Sequence, residues 1–232
     1  KADAIKFQTY TPDTITIDCD NQDFQINEGY SKGYSLYQLY KKAYTPFEWH
    51  KDLFEYSRNV GITCFSTAFD ESAVDLLEDL GTPAYKVASF EIVDLPLIKY
   101  IAKTHKPMIL STGMANLTEI EDAINTATSN GCKELILLHC ISGYPTPFNE
   151  SNLLCIPDLY KRFNLVTGLS DHTLGTSISV AAVTLGASLI EKHFTLDKNS
   201  GSPDSSFSIE PNELRELVIN TKNAWEAKGF PN

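Results

Sequence analysis

A barrel of parallel strands, each followed by a helix, is the fold this 232-residue sequence predicts, and three observations predict it. Seven short apolar runs recur along the chain, at 5–8, 63–68, 85–89, 108–112, 135–140, 165–169 and 189–194. Helix signals fill the segments between them. Polar residues close nearly every run, which is how a (β/α)8 barrel presents groups to a substrate at one end of its strands. Most runs are continuously apolar, as strands covered on both faces are. From the second onward they begin at residues 63, 85, 108, 135, 165 and 189, a spacing that fits one strand, one helix and two loops.

The elements follow in order. The stretch between residues 8 and 63 is too long for one helix, and its polar, tyrosine-rich part at 10–44 is expected to form an insertion over the barrel mouth. Thr45-Pro-Phe-Glu48 reads as a capping box with Pro46 at the first helical position, and Gly61 closes that helix. Asp70 precedes Ala73, Val74, Leu77 and Leu80 at helical spacing, with Gly81 as the stop. Segments 118–131, 175–186 and 211–229 behave similarly. Repeated strand–helix units imply a parallel sheet with right-handed crossovers. A dinucleotide-binding sheet would open with Gly-x-Gly-x-x-Gly after its first strand, and none stands there. Seven strands are one short of the usual barrel, and Lys1-Ala-Asp-Ala-Ile5 resembles a helix end running into a strand. The expected fold is therefore α/β, a (β/α)8 TIM barrel lacking its first βα unit.

Composition excludes several classes. At 42% hydrophobic and 21% charged the chain is globular rather than disordered or fibrous. Its apolar runs fall far short of the ~20 residues a membrane helix needs. A net charge of −11 argues against nucleic acid and anionic membranes as partners. Five cysteines without Cys-x-x-Cys spacing argue against a disulfide framework or structural zinc, so a reducing, cytoplasmic compartment is expected.

Two histidines carry the sharpest signal. His172 and His193 close consecutive runs, so their rings are expected to converge over the mouth, with Asp171 and Asp204 nearby. Imidazoles with water in the remaining positions suit Mn²⁺, Fe²⁺ or Zn²⁺ as a Lewis acid, whereas a lone strand-end histidine as often merely bonds a loop. Lys6 and Lys86 lie inside strands, where lysine is depleted. They read as an anion site or as a Schiff-base nucleophile, against snorkelling to solvent. Ser66, Thr67, Ser89, Ser111, Thr112 and Gly113 cluster at the same strand ends and favour the anion. Glu91 is a candidate acid or base. His139 and Cys140 read as core, His50 and His105 as solvated, and the tyrosines from Tyr30 to Tyr44 as insertion packing rather than a sugar platform.

These segments together resemble the catalytic barrel of the sialic acid (nonulosonate) synthases. The resemblance rests on Ile5-Lys-Phe-Gln-Thr, Phe65-Ser-Thr, Tyr85-Lys-Val-Ala-Ser-Phe-Glu91 and Leu110-Ser-Thr-Gly-Met114. It continues through Leu138-His-Cys-Ile-Ser-Gly-Tyr-Pro145, Gly168-Leu-Ser-Asp-His-Thr-Leu-Gly175 and Ile190-Glu-Lys-His-Phe-Thr195. Tyr10-Thr-Pro-Asp-Thr-Ile-Thr-Ile17, Tyr44-Thr-Pro-Phe-Glu-Trp-His50 and Pro203-Asp-Ser-Ser-Phe-Ser208 are most similar to the branch that makes pseudaminic acid. The resemblance implies condensation of phosphoenolpyruvate with an N-acetylated amino sugar, assisted by a divalent metal, Mn²⁺ or Mg²⁺. It implies that Lys6, Thr67, Lys86, Ser89, Ser111 and Ser170 hold the phosphate and carboxylate, with Tyr144 near the pyruvyl group. His172 and His193 would bind the metal, Glu91 would lie beside the reacting carbons, and Asp204 would face the sugar or a metal-bound water. Ser142 stands where N-acetylneuraminate synthases usually carry Asn, which tilts the substrate away from N-acetylmannosamine. The family's first-strand glutamate and its C-terminal antifreeze-like domain have no counterpart in the sequence, and a homodimer is expected of the full-length protein. N-acetylneuraminate or legionaminate synthesis, a Schiff-base aldolase using Lys86 or Lys192, and a non-catalytic sugar-phosphate-binding barrel are the rivals.

Overall fold

The computed structural model describes residues 1–27 and 32–229. Seven parallel strands pair in sequence order: β1 (Ala4–Thr9), β2 (Thr63–Ala68), β3 (Tyr85–Val87), β4 (Met108–Ser111), β5 (Leu135–Cys140), β6 (Val166–Asp171) and β7 (Ile190–Lys192). Between and after them run α1 (Pro12–Ile15), α2 (Leu36–Ala43), α3 (Phe47–Val60), α4 (Glu71–Asp79), α5 (Leu95–Ala102), α6 (Leu117–Ser129), α7 (Cys155–Phe163), α8 (Ser177–Thr184) and α9 (Pro211–Lys228). The sheet is the curled wall of a barrel, open between β1 and β7 among the described residues. Its curl brings Lys6 Nζ of β1 within 3.5 Å of Glu191 Oε1 of β7.

Strand period decides which side chains meet the helices. In β2 to β5 the outward positions are Cys64, Ala68, Tyr85, Val87, Met108, Leu110, Leu135 and Leu137. They pack on Phe54, Val74, Leu77, Ile98, Ile101, Ile120 and Ala123 of α3 to α6. Fully burying one such side chain contributes ~1.5–3 kcal/mol. Tyr85, fully buried, donates its hydroxyl to the Val74 carbonyl at 3.1 Å and to Glu78 Oε1 at 2.7 Å, which locks α4 to β3. The opposite parity is left to face the mouth.

Several boundaries differ from the sequence expectation. Helix α3 starts at Phe47 with Pro46 as its N-cap and no side-chain cap, because Pro46 takes the extended backbone that precedes the first turn. The capping box read at Thr45–Glu48 is therefore absent there. Asp70 does cap α4, accepting from Ser72 N and Ala73 N, and Asn116 with Glu119 forms a reciprocal box at α6. Strands β3 and β7 are shorter than predicted, which leaves Ser89 and His193 on the loops that follow them. Strand β6 runs later, from Val166 to Asp171. Residues 10–44 hold α1, a 3₁₀ turn at Gln22–Phe24 and α2. The reading of Tyr30 lies outside the described residues.

His50 was expected in solvent and is fully buried. Its Nδ1–H donates to the Pro46 carbonyl at 3.1 Å, so its Nε2 accepts from the Thr9 hydroxyl at 2.8 Å. Thr9 Oγ1 lies 2.7 Å from Ser66 Oγ. Each polar group of that chain is satisfied where α3 crosses β1 and β2, which is what makes its burial tolerable.

Gly168 in β6 marks the tightest approach in the wall. A Cβ there would overlap the Leu189 carbonyl oxygen and stand 2.7 Å from Leu138 Cδ2. Neither a strand backbone nor a buried Leu can give way freely. Gly168→Ala is expected to destabilise the fold by about 2–3 kcal/mol, read as a lowered denaturant midpoint with unchanged slope.

Candidate active site

The inward parity of the strands delivers a row of polar groups to one end of the wall. Gln8 pairs with Thr67, Thr67 with Lys86, and Ser170 with Glu191, so these neighbours share a face. In parallel barrels the chemistry sits where strands end and loops begin, and Ser89, Glu91, Ser142, Tyr144, His172, His193 and Asp204 occupy those loops.

Lys6, Lys86 and Glu191 form the floor. Lys6 Nζ donates to Thr67 Oγ1 at 3.4 Å while facing Glu191 at 3.5 Å. Lys86 is buried at 2% exposure, which excludes snorkelling, and donates to the Val87 carbonyl at 2.9 Å. Burial pulls the Lys86 ammonium down to about 8, with Glu191 opposing and Lys6 adding to the shift. Burial works against the Glu191 carboxylate, yet Lys6, Lys86 and the Ser170 hydroxyl, donating at 3.0 Å, together bring it down to about 2. Two ammonium groups against one carboxylate leave an excess of positive charge. That suits an anion.

Around this floor lie groups the protein itself does not satisfy. Ser111 Oγ, Ser142 Oγ and Glu91 Oε2 are buried without a hydrogen-bond partner among the described residues. Each such atom costs ~1–3 kcal/mol unless something else meets it. Gly113 lets the backbone come close beside them, since a Cβ would lie 2.7 Å from both Ser89 Oγ and Ser142 Oγ. Hydroxyl donors and ammonium groups gathered at strand ends form a ready cradle for phosphate or carboxylate.

The two histidines converge with ring centroids 5.3 Å apart. His172 Nδ1–H donates to the Ile141 carbonyl at 3.1 Å, and His193 Nδ1–H donates to Asp204 Oδ2 at 3.3 Å. Both Nε2 lone pairs are thereby left for a ligand, the arrangement in which outer partners orient metal-binding imidazoles. Burial, then the neighbouring His193, lowers His172 to about 4, so its ring is neutral at physiological pH. Burial opposes ionisation of Asp204, but the hydrogen bond and charge of His193 hold its carboxyl below the usual range. Tyr144 stacks at 4.4 Å on His172, and Phe207 wedges against His193 at 5.2 Å. No group of three or more His, Cys, Asp or Glu residues placed to hold a metal occurs among the described residues. The donor set is two imidazoles with outer-sphere support.

The sequence profile of the NeuB family matches residues 1–232. The chain belongs to the NeuB family. Pseudaminic acid synthase of Helicobacter pylori is 45% identical over 228 residues, 98% of this chain and 67% of that protein. N,N'-diacetyllegionaminic acid synthase of Campylobacter jejuni is 44% identical over 231 residues, 98% of this chain and 69% of that one. The crystal structure of an N-acetylneuraminic acid synthetase from Leptospira borgpetersenii in complex with citrate matches with a TM-score of 0.89 at 32% identity, covering all of this chain and 76% of its own. The present chain thus spans about two thirds of the length of the curated relatives it matches.

In this NeuB chain the structure brings Lys6, Thr67, Lys86 and Ser170 together around Glu191, and His172, His193, Tyr144 and Asp204 together beside Phe207. It corrects two supporting arguments. Of the hydroxyls read as an anion cluster, Ser66 has the outward parity, with its Oγ 2.7 Å from Thr9 Oγ1, and Thr112 Oγ1 donates to the Leu138 carbonyl at 3.2 Å. Asp171 does not face the imidazoles, because its carboxylate accepts from Thr173, Ser179 and Lys192 Nζ, the last at 2.9 Å. It also adds Glu191 and Phe207. The signal for Glu191 was available: a charge at an inward position of a buried strand, the same argument that singled out Lys6 and Lys86. Nothing local marks Phe207, whose place depends on the loop after β7 folding back to pair Ile209 N with the His193 carbonyl at 2.9 Å.

Burial raises Glu91 to about 7, against an opposing pull from Lys86. A carboxyl whose folded-state pKa is raised contributes stability below its unfolded value of ~4.5, and loses it as pH climbs toward 7. Glu91→Gln is therefore expected to raise the melting temperature relative to the parent increasingly between pH 5 and pH 8. A difference that stays flat across that window would show that Glu91 ionises normally.

Proposed function

We propose that this NeuB-family chain carries the active site of a nonulosonate synthase, which condenses phosphoenolpyruvate with an N-acetylated amino sugar and releases phosphate. By likeness to the pseudaminic acid synthases, the sugar is 2,4-diacetamido-2,4,6-trideoxy-altrose and the product pseudaminic acid. The observation that carries the reading is the pairing of a lysine-and-hydroxyl cradle with two free imidazole Nε2 atoms at one barrel mouth. Legionaminate synthesis is the second reading, since a legionaminic acid synthase matches almost as closely.

In this reading Lys6, Lys86, Thr67, Ser89, Ser111 and Ser170 hold the phosphate and carboxylate of phosphoenolpyruvate, and the unpartnered hydroxyls are satisfied by its oxygens. C3 of phosphoenolpyruvate attacks the aldehyde carbon of the open-chain sugar. Water then adds at the cationic C2, and phosphate leaves by C–O cleavage. The same lysines neutralise the departing charge, which grows toward the transition state. Glu91, poised near neutral pH, holds or moves a proton at its free Oε2 beside the reacting carbons. Tyr144 walls the pyruvyl side. His172 and His193 would hold a divalent metal, Mn²⁺ or Mg²⁺, through Nε2, and when bound it supplies Lewis acidity toward the aldehyde oxygen.

Assaying the full-length protein for phosphate release with each diacetamido sugar tests the reaction, and release with neither sugar would reject it. Chelation is expected to abolish turnover and added Mn²⁺ to restore it, while His172→Ala loses the Mn²⁺ signal in electron paramagnetic resonance. Lys86→Met should raise KM for phosphoenolpyruvate at least about tenfold, the loss of one charge-assisted contact. Borohydride with pyruvate is expected to leave the protein mass unchanged. An adduct on Lys86 would instead establish the aldolase route, for which Lys192 is unsuited because Asp171 and the Thr173 carbonyl already hold its ammonium.

A further inference from the structure

Two tyrosines stand near the strand ends with hydroxyls that no described residue uses. Tyr10 directly follows β1 and is buried, and Phe69 directly follows β2. The Tyr10 ring meets Phe69 edge-on at 5.3 Å and Tyr40 of α2 edge-on at 5.6 Å. Helix α2 is thereby pinned to the strand ends where the substrate groups lie. Its neighbouring tyrosines serve the fold: Tyr37 donates to Asp13 Oδ1 at 3.0 Å, and the Tyr34 hydroxyl accepts from Lys42. Neither Tyr10 nor Tyr40 has a hydrogen-bond partner for its hydroxyl among the described residues.

The charges around Tyr40 accord with that placement. After burial itself, Glu91 and Asp204 are what push its ionisation up. Glu91 follows β3 and Asp204 follows β7, so they reach the mouth from different sides. Both carboxylates belong to loops at the strand ends, the side on which Tyr10 holds the Tyr40 ring.

We propose that Tyr40 is a specificity-determining residue that hydrogen-bonds the amino sugar over the mouth, its ring held by Tyr10, which Phe69 supports in turn. The inference rests on the proposed condensation and names a residue that reads its second substrate. An amino sugar is amphipathic: its C–H faces pack on aromatic rings, while its hydroxyl and acetamido groups need partners. A protonated tyrosine both donates and accepts, and its ring is ordered at low entropic cost. A hydroxyl without a partner among the described residues, on a half-buried tyrosine, is one that a ligand can satisfy at little desolvation cost.

The test is steady-state kinetics on the full-length protein with phosphoenolpyruvate and 2,4-diacetamido-2,4,6-trideoxy-altrose. Tyr40→Phe keeps the ring contacts and is expected to raise KM for the sugar about tenfold, the loss of one hydrogen bond, with KM for phosphoenolpyruvate unchanged. Tyr37→Phe, which removes only the contact to Asp13, is expected to leave both values where they were. An unchanged sugar KM in Tyr40→Phe, or an equal rise in both KM values, overturns the proposal. Parent protein that releases no phosphate with any 2-acetamido sugar overturns the reading beneath it, a result that is told apart because it appears before any variant is made.

Discussion

Glu191 sits between Lys6 and Lys86 where the curled sheet fails to pair β1 with β7, and the rest of the site depends on that carboxylate. An ammonium group such as Lys86 cannot be buried alone in a barrel wall, because removing its hydration costs far more than packing returns. One carboxylate offsets that cost but does not cancel two positive charges. What remains is a local excess of positive charge in a chain of net charge −11, the condition under which an acidic protein can still take an anion. The hydroxyls of Ser111 and Ser142 extend the same logic: both are buried without a hydrogen-bond partner among the described residues, as groups kept for a ligand are.

This incompleteness is affordable because the other face of the sheet is finished. Outward side chains from β2 to β5 meet α3 to α6 in one continuous apolar layer, and even the polar residues there are paired, as in the chain from Pro46 through His50 and Thr9 to Ser66. Rigid strands then present the inward groups without each needing its own support. The loop after β7 works differently. It folds back along His193, brings Asp204 to the imidazole and Phe207 against both rings, and so builds the second half of the site from side chains that no strand holds.

Much of this was legible in order along the chain. The seven runs, their spacing and the caps at Asp70 and Gly61 are local features, governed by a period of two in strands and by turns that only certain residues form. Charged residues inside apolar runs stood out for the same reason, which is why Lys6 and Lys86 were recognisable. Glu191 was equally open to that argument, but His193 two residues on carries the stronger chemical signal. His50 carried no signal of burial, because a helix of mixed polarity does not reveal which of its faces a neighbouring strand covers.

The sequence alone determined the succession of strands and helices, the end of the wall at which polar groups gather and the residue types that gather there, since period, capping and spacing act over a few residues. Only the tertiary structure decided which of those groups meet. That Lys6 faces Glu191 follows from the curl of the whole sheet. That Asp204 rather than Asp171 serves the histidines follows from strand parity, which turns Asp171 outward toward Lys192 and Ser179. Contacts between distant segments depend on the summed twist of every intervening strand pair, and no local pattern records that sum.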